Sequence, residues 1–469
     1  MSVSQTRAKP SATHINAWED DPEPAVQTSR PVPDLSRKPL AFSFPKPAPA
    51  PGPYDPGTPQ YRYWTAAEAL RRGADFWAPL LPVQAWQPGD TLSVILDEGE
   101  DLNAFYDRKA LNFFHGSGPG GRTVYSGESP DVVCHEMGHA ILDAIKPELW
   151  DAATQEAAAF HEGFADVSAI LSALQLPSLR TVVLNETGGH LYRNSRLSRL
   201  AEQLGTAIRA QAPDAVDPDC LRNAVNSFTY ADPMELPSSA PASHLSSEPH
   251  SFSRVMSGAV FEAMAGMLTA SSANANAPTD QDLTRVSGEI GKILIEAIVA
   301  APVAPNFFTQ VATQMVQVSE AVNAGYPGVL RAVFVRRAIL SLEAVTTSHA
   351  LAAFPAITAA TPAQLSLPGI RYGLAQPLLV QAPAQPHHFA VTAGAPNGSS
   401  IQPPNAMEAA RAFVDDLFRN GRIDDQSLVA GTAQLIHGHR RLRTHQLKAE
   451  AAGIRLKRRL FDCGLCCGH

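Results

Sequence analysis

The stretch Ser129–Ile145, SPDVVCHEMGHAILDAI, carries more structural and chemical information than any other part of the chain. Ser129 can cap a helix, Pro130 suits its first position, and Asp131 suits its electropositive first turn. Val132, Val133, Met137, Ala140, Ile141 and Ala144 follow with helical spacing, which predicts a helix with a buried face. Inside that pattern His135, Glu136 and His139 form HExxH. Positions i and i+4 share a helix face, so both imidazoles can reach one tetrahedral metal ion, with Glu136 projecting beside it. Imidazoles aimed at a core need polar partners, and a metal supplies them.

A second predicted helix over 155–175 contains FHEGFADV, which places Glu162 and Asp166 four apart on one face. Glu162 suits a third ligand, and Asp166 can hold the second ring nitrogen of a ligand histidine. Two carboxylates on a solvated face would not sit among Phe160, Phe164 and Val167. His161 is the alternative ligand to Glu162, but it lacks a partner four residues on. Two imidazoles and one carboxylate leave a fourth position for water, which is the pattern of one catalytic zinc.

Working outward, residues 1–60 are rich in proline and predict a flexible leader. Residues 61–130 predict a short β-containing lobe, with TAAEALRRGADFW helical and TLSVIL strand-like. The segment 131–345 predicts a helical lobe, with further helices at 251–271, 280–300, 306–323 and 327–345. An Ala/Pro-rich linker is expected over 346–405, and 406–469 predicts an α+β extension with a basic segment and a Cys-rich end. The chain has 469 residues, 45% hydrophobic and 17% charged, with a net charge of −8. That balance speaks against a nucleic-acid coat. Eight basic residues against one glutamate between Arg440 and Arg459 read as a solvated strand face, without the aromatic interleaving that single-strand binding uses. Uncharged stretches are too short or too broken by proline for a membrane span.

Beyond the two helices, the flanks resemble the thermolysin family of zinc metalloendopeptidases, as a divergent member. HEMGH followed by E-x-x-x-D is similar to the glutamate-ligand zincins, and Asp131-Val132-Val133 is similar to that family's Asp-Val-Val. Leu102-Asn103-Ala104-Phe105-Tyr106 resembles its peptide-binding edge strand. Leu221-Arg222, with Asp232-Pro233 beyond, resembles its substrate-binding arginine stretch, and His250, followed by Ser257-Gly258, its oxyanion histidine. The resemblance covers about 95–345. It implies an α+β zincin: a small β-rich N-terminal lobe, an active-site helix and a helical C-terminal lobe, here with an appended α+β tail region. It implies zinc on His135, His139 and Glu162, with Asp166 orienting a ligand, and catalysis by Glu136 and His250. It further implies substrate contacts from Asn103, Ala104, Val132, Trp150, Leu221 and Arg222. Trp150 replaces a tyrosine at the oxyanion, and Leu245 replaces the aspartate that would orient His250, a task for which Glu248 is nearby. Asp131 is similar to one calcium ligand, but Ala173 and Leu174 stand where a further glutamate is needed, so a structural calcium lacks its ligand set.

The expected activity is therefore zinc-dependent endopeptidase action on a peptide or protein substrate, with no nucleic-acid partner. The alternatives are an inactive zincin scaffold that holds peptides, a partner-binding protein acting through its C-terminal extension, and, within the zincins, an aminopeptidase, whose amine-binding motif is absent. Cys134 reads as a core thiol. Without a signal-like N-terminus, the expected location is cytoplasmic, either latent or exported by a signal-independent route. A latent form would have its tail across the cleft, presenting Cys463, Cys466 or His469 to the zinc; a second zinc site built from Cys463, Cys466, Cys467 and His469 is the other reading of that end.

Overall fold

The computed structural model describes residues 13–22, 27–344, 363–383, 392–395, 397, 399–424 and 443–463. The mixed α+β class holds. Strands β1 (His14–Trp18) and β2 (Gln27–Pro31) form an antiparallel hairpin, which packs on α1 (Pro59–Trp77). Between these, β3 (Ala41–Ser43) joins β4 (Thr91–Ile95), β5 (Ala104–Tyr106) and β6 (Ala110–Phe113) in one sheet. Strands β3, β4 and β6 run parallel, and β5 is antiparallel to β6. A small hairpin, β7 (His115–Ser117) and β8 (Thr123–Tyr125), leads into the helical part.

Helix α2 (Pro130–Ile145) starts as its residues require: the Ser129 side chain accepts the Val132 N–H, with Pro130 and Asp131 in the first turn. Thr154 likewise caps α3 (Gln155–Ala173), and α4 (Pro177–Thr187) follows. Next come β9 (Arg199–Leu200), α5 (Glu202–Gln211) and β10 (Arg222–Asn223), with β9 and β10 paired antiparallel. Helices α6 (Pro249–Ser271), α7 (Asp280–Ala300), α8 (Phe307–Val322) and α9 (Tyr326–Arg336) complete the lobe. No single helix among the described residues is long and apolar enough to cross a membrane.

Close helix packing is written in glycine. A Cβ at Gly138 on α2 would lie 2.7 Å from Ala165 Cα and 2.8 Å from Ser168 Cβ, so only a bare Cα lets α3 approach this closely. Gly163, on the next face, meets the Ser253 carbonyl of α6, 3.2 Å from where its Cβ would be.

Both end segments depart from the sequence expectation. In the segment expected to be a flexible leader, residues 13–22 and 27–60 are packed against the domain. Ile15, Ala17 and Trp18 are buried, and Trp18 meets Tyr61 edge to face. Asp21 accepts the Gln203 N–H (2.8 Å) and the Ser129 hydroxyl (2.6 Å), so the leader ties the starts of α5 and α2 together. These contacts link residues more than a hundred positions apart, which composition cannot register. The expected linker also contains sheet. Strands β11 (Ala363–Leu367) and β12 (Leu378–Ala382) join β15 (Ile423–Asp424), β16 (His445–Glu450) and β17 (Gly453–Arg458) in the order β11-β12-β17-β16-β15. A pair, β13 (Ala393–Gly394) and β14 (Ser400–Ile401), and helix α10 (Ala406–Arg419) lie between them. This sheet docks on the α2–α3 connection through the Ala153 N–H, which donates to the Gln381 carbonyl (3.0 Å).

The last described strand, β18 (Phe461–Asp462), leaves that sheet and pairs antiparallel with β5 in the first one. The Cys466, Cys467 and His469 expectations lie outside the described residues.

Asp20 is buried beside Asp21, and burial with that repulsion pushes its carboxyl up to about 7. The folded chain then keeps a proton that the unfolded chain releases, so this group's contribution to stability falls as pH rises from about 4 through 7. Replacing Asp20 with Asn removes that dependence. The difference in Tm, variant minus wild type, is expected to grow from about pH 4.5 to pH 8 in chelator-treated protein; a difference that stays constant would contradict it.

Candidate metal centre

His135, Glu136 and His139 come together as a fully buried group whose ligand atoms lie within 4.8 Å of one another. The facing carboxylate of Glu162, on α3, reaches both imidazoles: 3.4 Å from His135 Nε2 and 3.7 Å from His139 Nε2. His135 Nδ1 is 3.0 Å from Asp166 Oδ1, so the two carboxylates of α3 divide their work along one helix face. Asp166 is itself clamped by Arg222 on β10, at 2.8 Å from Nη2 and 3.1 Å from Nε.

The charge state of the group follows from burial and its neighbours. Burial, then the positive potential of His135 and His161, pushes His139 well below its ordinary range, which keeps it a neutral imidazole. Burial also opposes charge on His135, but the facing carboxylates of Asp166 and Glu162 outweigh it and raise its proton affinity. Burial drives the Glu136 carboxyl up to about 8. For Asp166 the cost of burial is overcome by Arg222 and His135, which hold it well below the usual carboxylate range.

A divalent cation fits this donor set on structural grounds. His135 Nε2, His139 Nε2, Glu162 Oε2 and both oxygens of Glu136 are buried and have no hydrogen-bond partner. Buried polar atoms left in that state cost free energy, and a cation at their convergence removes the cost. The ring nitrogens facing away are held, His135 by Asp166 and His139 by His161, whose Nδ1 atoms are 3.3 Å apart. His161 is thus a neighbour of the ligand His139, with Glu162 facing the imidazoles from the next position.

The remaining residues singled out in the sequence fall in three places. His250, at the start of α6, lies 3.3 Å from Glu162 through Nε2, and its Nδ1 is 2.8 Å from Glu248. Val132, Leu221 and Arg222 line one pocket together with Ala169 and Cys463. Asn103 is buried beside β5, its side-chain oxygen accepting the Ala104 N–H at 2.8 Å. Two expectations are corrected. The outer edge of β5 is not open, because β18 is paired on it. The Trp150 indole N–H donates to the Arg458 carbonyl (3.3 Å), a tail contact and not an oxyanion contact. Asp131 is buried against Asp20, Asp21 and Glu202, and its side chain accepts the Ala201 N–H at 3.0 Å.

Sequence reasoning missed Phe461 and Asp462. Phe461 stacks on His161 (centroids 4.0 Å apart) and His139 (5.1 Å), and the Asp462 carbonyl accepts from His250 Nε2. No local signal marks them, since their place depends on strand pairing across the whole chain.

Compared with models of known protein families and with curated proteins, the sequence matches none. What the fold and site define by themselves is an α+β protein with a buried His-Glu-His metal group.

The purified chain is expected to hold one divalent metal ion. His139→Ala should abolish it, whereas Glu136→Gln should retain it, because Glu162 completes the ligand set. Elemental analysis of the two variants beside wild type decides the matter; metal lost equally from both would place Glu136 among the ligands.

Proposed function

We propose that the chain is a zinc-dependent metalloendopeptidase of thermolysin-like design. The observation that supports this most is a peptide strand already lying in the cleft. Phe461–Asp462 is paired antiparallel to β5, and the Asp462 carbonyl is directed at His250 beside the ligand group. A groove that binds an extended backbone by adding a strand to a sheet edge recognises peptides largely without regard to side chain. His250 joins the groove to the metal group, since Nε2 also stands 3.3 Å from Glu162.

The residues divide the chemistry as follows. Zinc held by His135, His139 and Glu162 would supply Lewis-acid polarisation of a carbonyl and a water. Glu136 accepts the proton of the attacking water and returns it to the departing nitrogen. Burial raises the Glu136 carboxyl in the metal-free site, and a cation beside it would favour the ionised form that the first step needs. In its doubly protonated form His250 gives Nδ1–H to Glu248 and keeps Nε2–H to donate to the carbonyl oxygen as negative charge develops there. Arg222 fixes Asp166, and Asp166 fixes the ring of His135. The pocket of Val132, Ala169 and Leu221 offers an apolar place for the residue after the cut. An inert peptide-holding scaffold would have no use for a buried, unpartnered glutamate at this point.

A chain shortened to end at Leu460 removes β18 and opens the groove. It is expected to hydrolyse an internally quenched peptide, with chelator abolishing the signal. In that chain Glu136→Gln should slow hydrolysis by roughly 10²–10⁴-fold while metal content is unchanged. Hydrolysis at an undiminished rate would exclude Glu136 as the base. His250→Ala should lower kcat by roughly 10²–10³ with little change in KM; a change confined to KM would make His250 a binding residue only.

A further inference from the structure

The strand in the cleft has a definite register. Phe461 is opposite Tyr106 and Asp462 opposite Phe105, and the Cys463 N–H donates to the Ala104 carbonyl at 3.0 Å. The Asp462 carbonyl accepts from His250 Nε2, and that nitrogen lies 3.3 Å from Glu162 Oε2, a carboxylate shared by both imidazoles. On the N-terminal side of this peptide bond, Phe461 is packed on His161 and His139, with the Arg458 guanidinium 4.0 Å from its ring. On the C-terminal side Cys463 is buried and lines the pocket of Val132, Ala169, Leu221 and Arg222. Its thiol stands beside the Glu136 carboxylate. Cys463 is not a member of the cluster formed by His135, Glu136 and His139. The strand carries the Asp462 carbonyl to His250 and sets the Cys463 side chain beside Glu136.

We infer that the Asp462–Cys463 bond is the enzyme's own substrate, hydrolysed within the same molecule to release residues 463–469. This rests on the peptidase reading above. Water oxygen bonds to the Asp462 carbonyl carbon while Glu136 takes its proton. The carbon–nitrogen bond then breaks, and the Cys463 nitrogen receives the proton from Glu136. The products are a chain ending in the Asp462 carboxylate and the peptide CGLCCGH, with water as the sole co-reactant.

The scissile bond is held in place by contacts distant in sequence. The Arg458 N–H donates to Asp151 (2.9 Å), its guanidinium to the Trp150 carbonyl (2.9 Å), and Arg422 pairs with Asp462 (3.2 Å). Such anchoring makes the reaction unimolecular and gives the bond a high effective concentration at the site. Until it is cut, the strand fills the groove against other peptides. The cut frees the Cys463 side of the groove.

The test uses the full-length chain, purified with chelator and then supplied with zinc, followed by intact-mass spectrometry. Wild type should lose the mass of residues 463–469 at a rate independent of protein concentration. Glu136→Gln should stay whole, and so should Cys463→Pro, which removes the N–H given to Ala104. In full-length, metal-free Glu136→Gln, alkylation mapping should find Cys463 protected relative to the denatured chain. Alkylation of Cys463 as fast as in the denatured chain would overturn the strand's placement, and a cut at another bond would overturn its register. If zinc-loaded wild type stays whole while the chain ending at Leu460 cleaves the quenched peptide, self-processing is wrong and the peptidase reading stands. If neither cleaves, the peptidase reading fails and this inference with it.

Discussion

The separation of α2 and α3 governs the site. His135 and His139 are on one helix and Glu162 and Asp166 on the other, so every distance between them is set by how closely the two axes approach. Gly138 sets that approach: its missing side chain is the space occupied by Ala165 and Ser168. A methyl group there would drive α3 back by an amount on the order of an ångström, enough to carry Glu162 out of reach of a shared ion. Gly163 repeats the arrangement between α3 and α6, which brings His250 to the same point. The three helices are thus pressed together at a place where polar groups converge.

That convergence is costly without a cation. Glu136 and Glu162 are buried carboxylates, and both have oxygens without a partner. Buried charge is tolerated when it is paired, as Asp166 is with Arg222, or when a metal compensates it. The strong pairing of Asp166 leaves it ionised and able to orient His135, whereas the desolvated Glu136 stays poised to exchange a proton. Two carboxylates on the same small volume are given opposite character by a single nearby guanidinium.

What could be read from sequence follows the range over which each feature is decided. The helices bearing His135 and Glu162 are fixed by local caps and by apolar residues recurring at helical spacing, so their motifs and their boundaries within a few residues were legible. The same holds for α6 to α8, whereas α9 stops at Arg336, well short of the expected 345. The leader was misread because proline and short strands look unstructured until Trp18 finds Tyr61 and Asp21 finds Gln203. The contact of Trp150 and the cover on the β5 edge were not legible for one cause, the return of residues 458–463 to the metal group. A two-residue strand has no periodicity to detect. Its position is decided by pairing partners more than three hundred residues away.

An uncovered edge strand carries a physical hazard, since its unpaired N–H and carbonyl groups will pair with any extended chain, including another copy. Natural sheets protect such edges by covering them, and β18 covers β5. The cover is anchored on both sides of the groove by different chemistry: aromatic stacking at Phe461 and a backbone hydrogen bond at Cys463. If β5 serves as the proposed peptide groove, a strand of the chain's own sequence shields it until that strand leaves. The side chains chosen for it are informative for that reason. Phe461 packs on an aromatic surface made by His139, His161 and Trp150, and Cys463 lines a small pocket with Val132, Ala169 and Leu221, so together they outline the groove that a peptide would meet on the proposed reading.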